Sequence, residues 1–193
     1  MPDAEVVTLR ERAARYSPAQ RRTIDVALQL FAAHGVGGTS LQMIADDVGV
    51  TKAAIYHQFS TKEAIVLGVI DVKLQPLEDA IEAAESAALT RAAREAVLVR
   101  VVDTVVANRR ALGPLQNDPV LFRLLGEHEP SRRLWVRLFS ELLGDDRGAQ
   151  ARVRAAVLSA AIGAAAHPFV EDLEDDTLRH ELLQITHALV FGD

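Results

Sequence analysis

Apolar residues recur along this chain with the three- and four-residue spacing of helices and almost nowhere with the alternation of strands. Ile24, Ala27, Leu28 and Phe31 share one helical face, and Leu41, Ile44, Ala45 and Val48 share a second. Ile55 and Phe59 mark a third. Most stripes carry a start signal. Ser17-Pro18-Ala19-Gln20 joins an N-cap serine, a proline at the first helical position and a glutamine that closes a capping box. Thr39-x-x-Gln42 predicts a second box and Ser60-x-x-Glu63 another, with Thr51 capping the short helix between them. Gly35 and Gly49 end the first two helices, and Pro76 predicts a kink or split in the helix that opens at Ser60. Longer helices follow: about Thr90 to Arg110, a short one from Asp118-Pro119, Glu129-Pro130 to Leu143, and about Ala149 to Ala166. The last lies behind the acidic run Glu171 to Asp176, where the helix dipole favours negative charge. The expected fold class is all-α.

Composition narrows the function. The 193 residues are 49% hydrophobic and include no cysteine, which excludes a disulfide scaffold, thiolate metal sites and a cysteine nucleophile. The opening stretch has no signal-peptide core, and no apolar run reaches the roughly 18 residues that span a bilayer. The expected location is the cytoplasm, with no membrane partner. Net charge is −6, which by itself argues against nucleic acid. Its distribution reverses that. From Leu9 to Lys62, seven basic residues face four acidic ones, whereas from Gln75 onward 13 arginines face 19 acids. A basic first third on an acidic remainder implies two tasks, one of them on a polyanion.

The segment from Leu41 to Phe59 reads as helix, tight turn, helix. Ala45 lets the two helices approach and Gly49 supplies the turn, while Val48, Val50 and Ile55 fill the shared core. Thr51, Lys52, Ala53, Ala54, Tyr56 and His57 then face outward near the start of the second helix. That is where a helix-turn-helix enters a major groove. An ordinary helical hairpin with a polar face gives the same local pattern. The wider constellation is more specific: Phe31-Ala32-x-x-Gly35, Thr39-Ser40, Ile44-Ala45, Val48-Gly49-Val50 and Ile55-Tyr56-His57-x-Phe59-x-x-Lys62-Glu63. Segment 24–63 resembles the DNA-binding domain of tetracycline-repressor (TetR) family regulators. The resemblance implies an N-terminal three-helix DNA head, a C-terminal helical ligand domain, a homodimer, and repression relieved by a small molecule. It assigns Thr51, Lys52, Ala53 and Ala54 to the groove, and Tyr56 and His57 to phosphates or base edges. Thr39, as helix cap, Ser40 and Gln42 fall beside the phosphates, and Lys62 contacts one. The implied operator is an inverted repeat. The domains are then 1–16, a basic arm, 17–63, the DNA head, and 64–193, the ligand and dimerisation domain. Within Arg10 to Arg22 a solvated arm and a DNA contact are equally open.

The second domain offers two features. The small-residue helix 155–166 and the last helix present Ala156, Ser159, Ala160, Gly163, Leu182, Ile185 and Leu189 as a candidate dimer interface, two helices from each subunit making a four-helix contact. Burial within one subunit is the alternative. Trp135, Leu138, Phe139 and Leu142 line one helical face, which with Phe122 is either core or a cavity wall. Arg100, Asp103, Asn108 and Arg109 on the preceding long helix could give such a pocket its polar groups. Enzyme motifs are missing: no phosphate-binding loop, no nucleophile elbow, no His-Glu-x-x-His. His180 and His187 alone make no metal site, and no cofactor is expected. The remaining alternatives are a constitutive DNA-binding protein whose second domain only dimerises, and an all-α protein whose helix-turn-helix is incidental.

Overall fold

The computed structural model describes residues 7–87, 90–115, 118–144 and 148–192. Among these there are helices and no strand. The helices are α1 (Leu9–Arg15), α2 (Pro18–Gly38), α3 (Leu41–Val48), α4 (Lys52–Gln58), α5 (Lys62–Ser86), α6 (Arg91–Leu112), α7 (Pro119–Glu127), α8 (Glu129–Leu143), α9 (Ala149–Gly163) and α10 (Asp175–Phe191).

Local chemistry explains most boundaries. Ser17 and Gln20 form the expected reciprocal box on α2, Thr90 caps α6, and Asp118 caps α7 just before its N1 proline. Four expectations change. The segment 1–16 is not simply an arm: Thr8 and Glu11 close a capping box that starts α1, whose Leu9 and Ala13 are buried. The first six residues of that arm lie outside the described residues. Ser40, not Thr39, caps α3, its hydroxyl accepting from Met43 N. At the start of α5 the accepting hydroxyl is that of Thr61, bonded to Ala64 N at 3.0 Å, in place of Ser60. Helix α5 also runs unbroken across Pro76, whose ring lies on an exposed side of the helix.

The chain divides into two compact units, Met1–Gln75 with Pro114–Arg132, and Pro76–Gly113 with Arg133–Asp193. The division differs from 17–63 and 64–193, because the first half of α5 and all of α7 pack with the head. In the first unit α2, α3, α4 and α5 bury Ile24, Leu28, Phe31, Ile44, Ile55, Ile65 and Ile70 together with Ala45. Gly68 allows the close approach of α5 to α2, since a Cβ there would sit 2.9 Å from Ile24 Cδ1. A buried carboxylate, Asp71, ties α5 to α1. It accepts from Arg12 Nε at 3.0 Å and from the Tyr16 hydroxyl at 2.6 Å. Burial and that hydrogen bond push the Tyr16 phenol well above its ordinary value.

In the second unit, Val102 and Val106 of α6 pack with Ala165 and with Leu178 and Leu182 of α10. Arg109, itself buried, closes this unit by donating to Asp175 Oδ1 at 2.9 Å, to Val170 O at 2.8 Å and to Leu173 O.

Candidate nucleic-acid interface

The helix-turn-helix is α3, a turn at Gly49, and α4. Gly49 adopts the left-handed conformation, φ 81° and ψ 36°, which glycine reaches without a Cβ penalty. Both Gly49 N and Val50 N then donate to Ala45 O, at 3.0 and 2.9 Å. Ile44, Ala45, Val48 and Ile55 are buried between the helices. Val50, expected in that core, is instead exposed, because the left-handed residue before it swings its side chain outward. Thr51 caps α4 by accepting from Ala54 N.

On α4 this leaves Thr51, Lys52, Ala53, Tyr56 and His57 exposed, with Ala54 half-buried at the edge. The Lys52 ammonium lies 5.9 Å from the centroid of the Tyr56 ring, a cation–π distance that keeps the two side chains together. Ser40 and Gln42 are exposed on α3, and Gln42 Nε2 donates to Asp46 Oδ1 at 2.7 Å, which holds that acid along its own helix.

Two of the expected DNA residues turn inward. Thr39 is 1% exposed, and its hydroxyl donates to Gly35 O at 2.9 Å and to Leu30 O at 3.2 Å. Lys62 Nζ donates to Val36 O at 2.7 Å and Thr39 O at 2.9 Å. Both close the end of α2, where Gly35 breaks the helix and leaves carbonyls without helical partners. Sequence reasoning also missed what anchors the far end of α4. Thr23 Oγ1 donates to Gln58 Oε1 at 2.8 Å and Gln20 Nε2 to Gln58 O at 3.0 Å.

In the second unit the expected pocket residues do not gather. Leu138 is wholly buried, with Leu134 and Leu142 as the core stripe of α8. Trp135 and Phe139 stack 6.4 Å apart on its half-buried flank. Phe122 belongs to α7 in the first unit and is 65% exposed. Asp103 accepts from Arg179 Nε at 2.6 Å, Asn108 donates to Thr104 O, and Arg109 is the buried clamp above. Arg100 does line a cleft of about 500 Å³, whose walls are Ala80, Ala83 and Ala84 of α5 and Ala93 and Ala96 of α6, with Asp79 at one side.

The expected interface residues separate by face. Ala156, Ser159, Ala160 and Ile185 are exposed, with Gly163 and Leu189 half-buried. Leu182 is instead core, on the inward stripe of α10 with Leu178, Thr186 and Val190. Val153 and Val157 of α9 were not expected outside and are 62% and 45% exposed.

Residues 24–69 match the family described as bacterial regulatory proteins, tetR family. Over 96 residues the chain is 34% identical to the HTH-type transcriptional regulator TtgW of Pseudomonas putida, covering 50% of this chain and 69% of that protein. The chain belongs to the TetR family of transcriptional regulators. Members of that family are DNA-binding regulators of transcription and not enzymes. The chain spans about half the length of other curated regulators that it matches. The fold also extends beyond the head. NalD, the secondary repressor of the MexAB-OprM multidrug efflux pump in Pseudomonas aeruginosa, is 22% identical with a TM-score of 0.65, covering 91% of this chain and 97% of that one. FadR of Bacillus subtilis, solved with stearoyl-CoA, is 18% identical with a TM-score of 0.63, covering 90% and 98%. Among the described residues no helix is long and apolar enough to cross a membrane.

Proposed function

We propose that this TetR-family chain is a homodimeric repressor that binds an inverted-repeat operator through α4 and is released by a small apolar ligand. The observation that carries the reading is the outward face of α4. Thr51, Lys52, Ala53, Tyr56 and His57 combine a cation, hydrogen-bonding groups and a small residue on a helix fixed at both ends. Lysine reads guanine or phosphate, the alanine methyls of Ala53 and Ala54 suit a thymine methyl, and Tyr56 and His57 reach phosphates. Ser40 and Gln42, exposed at the start of α3, are the further candidates for phosphate contact. Thr39 and Lys62 act one step back, by holding the turn from α2 into α3.

Dimerisation is supported by the apolar outward face of α9 and α10. Val153, Ala156, Val157, Ala160 and Ile185 leave an apolar surface that a second copy would cover, with Ser159 and Gly163 letting backbones approach. Ligand release is supported by the alanine-walled cleft between α5 and α6, of a volume suited to a small molecule. A family member solved with stearoyl-CoA makes an acyl chain the first compound to try.

The test begins with DNA selected from a random pool by the purified protein. Bound complex is then titrated with long-chain acyl compounds while DNA anisotropy and the fluorescence of Trp135, the only tryptophan, are followed together. The reading expects release and the fluorescence change over one concentration range, with Ala83→Trp blocking release and sparing DNA binding. Selection of a sequence with no release by any such compound favours the constitutive alternative.

A further inference from the structure

One carboxylate, that of Asp118, serves two parts of the head. Its Oδ1 accepts from Val120 N at 2.9 Å and Leu121 N at 3.1 Å, which caps α7. Its Oδ2 accepts from Val36 N at 2.9 Å, 82 residues away in sequence. Val36 directly follows the break in α2 at Gly35, where φ is 71°. It is 1% exposed, so without Asp118 its N–H would have neither helix partner nor water. Lys62 grips the same residue from its other side, at Val36 O. Burial works against charge on Asp118, but the N–H groups of Val36, Leu121 and Val120, with Lys62 nearby, outweigh it and keep the carboxyl below its ordinary value.

The geometry has a consequence for DNA reading. Residues 36–39 are the whole connection from the break in α2 to Ser40, the cap of α3. Asp118, Lys62 and the Thr39 hydroxyl fix that connection, and α3 in turn carries α4 through the Gly49 turn. The segment 114–132 packs in the same compact unit as the head, so this tie belongs to the head itself.

We infer that Asp118 is a positioning residue for DNA recognition, its carboxylate fixing the α2–α3 junction and with it the angle at which α4 meets the groove. The inference rests on α4 being the reading helix. Phosphate contacts tolerate angular play, whereas hydrogen bonds to base edges do not. Loss of the tie therefore weakens binding to the chosen sequence more than binding to DNA in general.

Asp118→Ser separates the two roles. Serine caps a helix well, but its hydroxyl is too short to reach Val36. Affinity is measured at one salt concentration for DNA selected by the parent protein and for a scrambled duplex, with Val36 amide exchange followed on the free protein. The expected result is roughly tenfold or greater weakening on selected DNA. Scrambled-duplex affinity stays within about twofold, and Val36 loses exchange protection. Parent-like affinity for selected DNA overturns the inference. So does parallel weakening on both duplexes, which is what a smaller folded fraction gives. If Asp118→Ser does not fold at the assay temperature, Asp118→Thr, which also caps a helix and is also too short to reach Val36, is read by the same outcomes. Failure of the parent to select any DNA brings down the reading role of α4 instead, while Val36 exchange still reports whether the tie exists.

Discussion

On α4 the outward residues are Thr51, Lys52, Ala53, Tyr56 and His57; on α9 and α10 they include Val153, Ala156, Val157, Ala160 and Ile185. The first set can give and accept hydrogen bonds and carries positive charge. The second offers shape and little else. A surface that meets a hydrated polyanion must replace the hydrogen bonds and counterions that it displaces, so it is built from polar and cationic groups. A surface that meets its own copy gains by removing apolar area from water, and small residues let two helices come close. The overall charge follows the same division, basic up to Lys62 and acidic beyond Gln75.

The comparison breaks most visibly at the apolar face. Val157→Arg with Ala160→Arg puts four like charges across a two-fold contact and yields a monomer by sedimentation. With the two half-sites no longer linked, operator affinity falls about 100-fold or more. The same substitutions leave the helicity of the head unchanged, because both positions are exposed in the single chain. Dimeric mass in this variant moves the interface elsewhere.

Changes on α4 come next. Lys52→Ala and Tyr56→Ala each weaken operator binding by roughly tenfold, with dimer mass and melting temperature as in the parent. A melting shift in Tyr56→Ala would show that the ring supports the head and does not read DNA.

Lys62 sharpens the line between contact and support. Its ammonium bonds two carbonyls at the end of α2, so Lys62→Met lowers stability by about 1–3 kcal/mol. The salt dependence of DNA binding stays as in the parent. A salt slope reduced by about one would return Lys62 to the phosphates.

The smallest effect is on pH. His128 caps α7 and is buried against Asp71, with Arg12 on the same carboxylate. Burial lowers its pKa, with Arg12 adding to the effect and Asp71 opposing it. The unfolded chain thus binds the proton more readily than the folded one. Stability of the head is full above about pH 6.5 and is lost as pH falls through the lower folded value. His128→Gln flattens the fall in melting temperature between about pH 7 and pH 5, and a parent-like fall places the titration on another group.

What could be read in the sequence was local. Caps and breakers act over three or four residues, and so Ser17, Thr51, Thr90, Gly49 and Asp118 were visible as boundary signals. Adjacent hydroxyls defeated the same logic at Thr39-Ser40 and at Ser60-Thr61. At Thr39-Ser40 the choice follows from the Gly35 break, which turns the Thr39 hydroxyl back onto Gly35 O and Leu30 O and leaves Ser40 to cap α3. Helix α1 was hidden because Arg10, Glu11, Arg12 and Arg15 leave Leu9 and Ala13 as its only buried residues. The outward positions of α4 were legible from helical spacing. The inward roles of Lys62 and Thr39 were not, since both depend on Gly35 and Val36, far from Lys62 in sequence. In the second unit, periodicity gave a face but not a depth. It grouped Leu138 with Trp135, although one is core and the other flank, and it placed Leu182 outside where only Ile185 is.

The most direct test of two unlike faces on one regulator is the stoichiometry and footprint of the protein on the DNA that it selects. Two protomers should protect one inverted repeat, with half-site centres roughly 34–36 Å apart on one face of the duplex. Val157→Arg with Ala160→Arg should abolish that footprint. A single asymmetric half-site holding one protomer, or a footprint indifferent to Lys52→Ala, would contradict the account.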